Sequence, residues 1–198
     1  MALQRVFAQH RALMSLLDLF KPKVNPIHQL SRDIFKQSVL AANELKKTVK
    51  DAGEELGTER WFAVLMEYQS MYMLVTDRAV FGDIPEEKRQ KLMNEFVVLC
   101  VDTSVNTIFS GWGVERTEKM QKECMDNFKK SCVDYGHYKR LVPEKGQPPA
   151  GTMLWEFAKT IAVILGQEMD IAYIMAATAV VNLNALNFKK FIAYAKNQ

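Results

Sequence analysis

Residues 58–82 read TERWFAVLMEYQSMYMLVTDRAVFG, and between Trp61 and Val80 only Glu67, Asp77 and Arg78 are charged. Apolar residues recur at helical spacing and also fill the positions between, so a helix here carries apolar surface on most faces. Thr58 is placed to cap its start and Gly82 to stop it. Such a helix is stable only when other helices surround it. The stretch therefore predicts a central element touching several neighbours.

The flanking sequence supplies those neighbours. Upstream, Asn25-Pro26 opens a helix: Asn accepts from the free N–H groups of the first turn, and Pro lacks an N–H that would go unpaired anyway. Leu30, Ile34, Val39, Leu40 and Leu45 mark its apolar side, and Lys46, Lys47 and Lys50 suit the negative end of its dipole. Before it, a further helix is predicted over Ala2–Phe20, with Val6, Leu13, Leu17 and Phe20 in phase and Lys21-Pro22 ending it. Arg5, Gln9, His10, Arg11 and Asp18 interrupt this segment, so it reads as amphipathic rather than as a signal peptide.

Downstream, Asp83-Ile84-Pro85-Glu86-Glu87 starts a helix that reaches about Phe109, and Ser110-Gly111-Trp112-Gly113 breaks it. Trp112 is expected to plug the corner. Residues 114–135 form the clearest amphipathic helix. Glu115/Lys119, Glu118/Lys122 and Asp126/Lys130 mark its wet face as i,i+4 pairs, and Met120, Cys124, Phe128 and Cys132 form its apolar stripe. Residues 141–151 hold Pro143, Pro148 and Pro149 and form the one long loop. Thr152 caps a helix to Leu165, Gly166 interrupts it, and a last helical stretch runs from about Gln167 to Ala195, with a bend expected near Asn182–Asn184. Neither strand alternation nor an internal repeat is found. The expected fold is all-α: one domain over residues 1–198, a bundle of about six to eight helices built from antiparallel hairpins, with roughly 70% or more helix.

Composition narrows the function classes. The chain has 198 residues, 48% hydrophobic and 25% charged, which suits a globular core. A formal charge of +3 with interleaved signs argues against nucleic acid as a partner. The three cysteines, Cys100, Cys124 and Cys132, are odd in number and fit no metal spacing, so free thiols in a reducing, cytoplasmic compartment are expected. Residues 171–188 form an uncharged run just long enough to be considered as a membrane span. Asn182, Asn184 and Asn187 within it are costly in lipid, so membrane residence is disfavoured.

Signatures of catalysis are missing. The nine glycines are scattered at helix ends, with no phosphate loop or dinucleotide fingerprint. No Gly-x-Ser-x-Gly elbow occurs, no histidine follows a Glu by three residues as in di-iron bundles, and His10, His28 and His137 are scattered. No cofactor and no metal are expected.

Three patterns provide candidate residues. Glu95, Asp102 and Asn106 share one helical face, and Glu67 lies three turns before Arg78 on the central helix. An antiparallel hairpin about Gly82-Asp83 would bring Glu67 level with Cys100–Asp102. Glu67, Asp77, Glu95 and Asp102 are thus the candidate carboxylates for acid/base chemistry or a hard cation; solvent exposure or neutralisation by Arg78 is the plainer expectation. Trp61, Tyr68, Tyr72, Met73, Trp155 and Phe157 could line an apolar ligand cavity, or simply form core. Ile174, Val181 and Asn182 are the candidate interface, because an uncharged end helix must hide its circumference and asparagines can fix the register of a two-fold contact. The Lys189–Lys196 tail alternates lysines with apolar residues and reads as a docked end helix. By elimination the expected function is a non-catalytic protein-interaction module that pairs with itself as a homodimer or with another protein. An apolar small-molecule binder and a carboxylate enzyme or metal protein are the alternatives.

Overall fold

The computed structural model describes residues 25–198. The helix expected over Ala2–Phe20 lies outside the described residues. Seven α-helices follow: α1 (Pro26–Asp51), α2 (Thr58–Val80), α3 (Glu86–Ile108), α4 (Val114–Tyr135), α5 (Met153–Ile164), α6 (Ile171–Ala179) and α7 (Phe188–Lys196), with a 3₁₀ turn at Leu183–Ala185. Helix accounts for 73% of these residues, and among them no strand occurs. The fold is one all-α bundle.

Local chemistry sets most of the boundaries. Asn25 Oδ1 accepts from the Ile27 N–H at 3.1 Å, and Pro26 is the first helical residue of α1. Thr58 is not the cap of α2: Gly57 holds that position and Thr58 begins the helix. At its far end Gly82 turns the chain at φ +82°. Thr152 Oγ1 accepts from the Trp155 N–H and starts α5.

Hydrogen bonds reveal the order of packing. Trp61 Nε1 donates to Asn43 Oδ1, so α1 and α2 form an antiparallel hairpin. Gln121 Nε2 donates to Asp102 Oδ1, which pairs α3 and α4 in the same way. α2 packs broadly on α1 and α4 and only sparsely on α3. Around the four long helices the order is therefore α1, α2, α4, α3, with the α2-to-α3 connection crossing the diagonal. α2 and α4, adjacent and parallel, meet at Met66–Cys124, Ser70–Asn127 and Arg78–Tyr135.

α2 is the central element. Fourteen of its residues are buried, including Tyr68, Tyr72 and Met73. Both tyrosine hydroxyls are used: Tyr68 donates to the Ala177 carbonyl at 2.8 Å, and Tyr72 accepts from the Asn182 N–H at 3.2 Å. Among the described residues no buried side-chain nitrogen or oxygen lacks a partner.

Three expectations require correction. The charged pairs of α4 run the other way from those expected, as Lys119–Glu123 and Lys122–Asp126; all are solvated and contribute little. Trp112 is not a buried plug: it is 37% exposed, stacked on Phe109 at 4.3 Å with the Arg116 guanidinium 3.8 Å over its other face. Residues 167–195 are not one bent helix. Asp170 Oδ1 caps α6 and Asn187 Oδ1 caps α7, so two side-chain acceptors divide the run. Among the described residues no single helix is long and apolar enough to cross a membrane.

Candidate functional site

The four candidate carboxylates go to four different places. Asp77 pairs with Arg89 through both oxygens, at 2.5 and 2.6 Å, and Glu86 takes the remaining guanidinium donors. Glu95 is exposed on α3. Asp102 accepts from Gln121. Glu67 is 4% exposed and does not face Asp102. The reason is the diagonal: Gln69, about 200° round the helix from Glu67, is the residue that meets α3, donating to the Cys100 carbonyl and accepting from Ser104. Glu67 turns instead to α4. Arg78 does not neutralise it, since its guanidinium is committed to the carbonyls of Tyr135 and Tyr138.

The environment of Glu67 is unusual for a carboxyl. Tyr135 donates to Oε1 at 2.5 Å and Asn127 to Oε2 at 3.4 Å, while the Ser131 hydroxyl, 3.5 Å from Oε1, lies nearer the Asn127 carbonyl, to which it donates at 3.1 Å. Every one of these donors is neutral. Burial holds the carboxyl above its ordinary range, with the Tyr135 and Asn127 bonds and Lys130 acting against that rise. Burial and the neighbouring carboxyl likewise push the Tyr135 hydroxyl up.

The candidate aromatics form core. Tyr68 and Phe157 are fully buried and meet edge to face at 4.9 Å, with Tyr135 beside Phe157 at 6.4 Å. Tyr72 and Met73 are buried too, Trp61 is bonded to Asn43, and Trp155 packs half-buried on the core. An apolar groove does exist, but elsewhere. It measures about 540 Å³ between α3 and α4, lined by Met93, Val97, Val98, Met125 and Phe128 over Leu74.

Of the candidate interface residues, Ile174 is wholly buried within the chain and offers no surface. Val181 is half-buried, and Asn182, exposed at its side chain, has its N–H bonded to Tyr72. The error follows from treating residues 171–188 as one helix, which gives Ile174 and Val181 a shared face that the break at Val180–Asn182 removes.

The exposed apolar residues nearby are different ones. Val133, Val163, Met169, Ile171 and Met175 are each more than half exposed, from 54% at Val163 to 76% at Val133. Val133, Val163 and Met169 line a common depression of about 520 Å³ between the ends of α4 and α5, together with Lys130, Asp134 and Glu168. Ile171 follows Met169 by two residues, and Met175 lies one turn further on the same face of α6. Met169 itself sits at φ +61°, a left-handed conformation that side chains other than Gly, Asn and Asp rarely adopt. Periodicity within Ile171–Ala179 alone could have shown the 171/175 face against the 174/177 face; nothing in the sequence marked the Met169 backbone.

The chain matches no protein-family profile, no curated protein and no solved structure.

Proposed function

We propose that this chain is a non-catalytic helical interaction module that pairs with a second copy of itself through the surface formed by the ends of α4 and α5 and the outer face of α6. The supporting observation is the exposure of Val133, Val163 and Met169 around one depression, continued along the chain by Ile171 and Met175, five large apolar side chains left in water. Contiguous apolar surface rimmed by polar groups is what association sites carry. The rim has both signs, Lys130 against Asp134 and Glu168, so a second copy turned by a two-fold axis meets complementary charge. The left-handed Met169 supports the same surface: strained backbone persists where a side chain must be held in a particular place. The three unpaired thiols, two of them buried, suit a reducing compartment.

Sedimentation velocity over about 1 μM to about 1 mM tests the reading. A dimer is expected, and Ile171→Asp with Met175→Asp should give a monomer of unchanged circular dichroism. A wild type that stays monomeric throughout overturns it. The apolar groove over Leu74 favours a second reading, a binder of an apolar small molecule, since its volume falls in the range of ligand sites. Native mass spectrometry separates the two: a co-purified ligand on a monomer supports the second.

A further inference from the structure

α4 packs on α2 and α3 while fully burying few of its own side chains. Of its 22 residues only Cys124, Ser131 and Tyr135 are buried. Cys124 contacts Met66, sulfur to sulfur, at 3.6 Å; Tyr135 directs its hydroxyl at Glu67, the Asn127 amide is shared between Glu67 and Ser70, and the Ser131 hydroxyl, bonded to the Asn127 carbonyl, lies 3.5 Å from Glu67 with its oxygen free to accept. Met120, Met125, Phe128 and Cys132 are only partly covered. The polar cluster around Glu67 thus joins the Arg78 bonds to the Tyr135 and Tyr138 carbonyls and the Tyr135–Phe157 contact in holding the C-terminal half of α4.

That contact depends on the charge it surrounds. A protonated Glu67 accepts from Tyr135 and can donate to a serine hydroxyl, satisfying the cluster without net charge. An ionised Glu67 only accepts, and among the described residues no cation is bonded to that buried charge, which is costly unless water reaches it. Release of α4 brings that water.

We propose that Glu67 is a proton-operated latch: the segment 127–135 is held on α2 while Glu67 carries a proton and loosens when it ionises. Because Val133 and Tyr135 line the depression at the ends of α4 and α5, loosening also disorganises the self-association surface; that second consequence rests on the function proposed above.

The surrounding charges do not replace the latch. From α4, Lys130 favours ionisation and Asp134 opposes it, both through space. From α5, Lys159 and Glu156, both lining the depression, pair with each other along that helix. Lys130 and Asp134 are the charged groups that act on it most. The carboxyl is raised in the folded state, so docking is strongest below the ordinary carboxylate range. It weakens as pH rises through the folded-state value.

Hydrogen-exchange protection factors, corrected for the intrinsic effect of pH, provide the test on the full chain. Amides of 127–138 should lose at least about tenfold protection between about pH 5 and about pH 9, while α1 amides hold theirs. Glu67→Gln, a neutral isostere, should keep the low-pH protection throughout. Tyr135→Phe, which removes a bond favouring the ionised form, should move the loss to higher pH. A wild-type α4 whose protection ignores pH, or a Glu67→Gln profile identical to the wild type, overturns the latch. So does a Tyr135→Phe profile unmoved along the pH axis. Sedimentation of the same samples reads the second consequence: association weakening with pH in the wild type but not in Glu67→Gln supports it. A monomer at every pH with the α4 profile intact removes the association and leaves the latch.

Discussion

The guanidinium of Arg78 donates to the Tyr138 carbonyl oxygen at 2.5 Å and to that of Tyr135 at 3.3 Å, so a cation borne by α2 closes the C-terminal end of α4. The last carbonyls of a helix have no intrahelical donors and carry its negative partial charge. A half-buried Arg meets both needs and leaves Glu67, three turns earlier on α2, to other partners.

Arg78→Ala is expected to cost about 2 kcal/mol, because two carbonyls lose a charged donor where water enters poorly. Urea denaturation followed by circular dichroism gives the value. An unchanged midpoint would show that water satisfies the same carbonyls.

Ile174 and Ile171 lie three residues apart on α6 and should respond oppositely to Asp. Ile174 is fully buried, so Ile174→Asp is expected to cost about 4 kcal/mol or more in the same assay. Ile171 is mostly exposed, and Ile171→Asp should shift the midpoint by no more than about 0.5 kcal/mol.

This pair also shows how far the fold was legible. Composition and a 3.6-residue period were enough for the all-α bundle, the central place of residues 58–80 and the caps at Asn25 and Thr152, because these are local or nearly local effects. The uncharged run over 171–188 suggests one helix with at most a bend near Asn182–Asn184, whereas the helix ends at Ala179 and a new one, capped by the Asn187 side chain, starts at Phe188. The site was less legible still. Whether Glu67 meets Asp102 or Tyr135 depends on which helices are neighbours, and that is decided by the diagonal α2-to-α3 crossing, a tertiary fact with no sequence period. The Met169 surface depends on one backbone angle.

Met169→Gly is expected to raise stability by about 0.5–1 kcal/mol, since glycine tolerates φ +61° without steric cost. The same variant removes an exposed apolar side chain, so the proposed dimer should dissociate more easily. Thermal melting and sedimentation on one sample check both signs; a loss of stability would mean that Met169 packs usefully in the monomer.

Trp112→Ala is expected to cost about 1–2 kcal/mol, less than a buried tryptophan, because the ring keeps one stacking partner in Phe109 and one in Arg116 while its remaining surface is already wet. A loss of about 3 kcal/mol or more in urea would place the ring deeper than 37% exposure allows.

The bonds from Tyr68 to Ala177 and from Asn182 to Tyr72 join residues 109 and 110 positions apart. During synthesis at about 5–20 residues per second, α2 leaves the ribosome roughly 5–20 s before the segment that covers it. For that interval the helix with the most buried residues among those described has two tyrosine hydroxyls without their final partners and a face with nothing against it. The nascent protein therefore depends on residues 171–182 to cover that face, and any ribosome that stops short of them releases a fragment with exposed apolar surface for chaperones and proteases to clear.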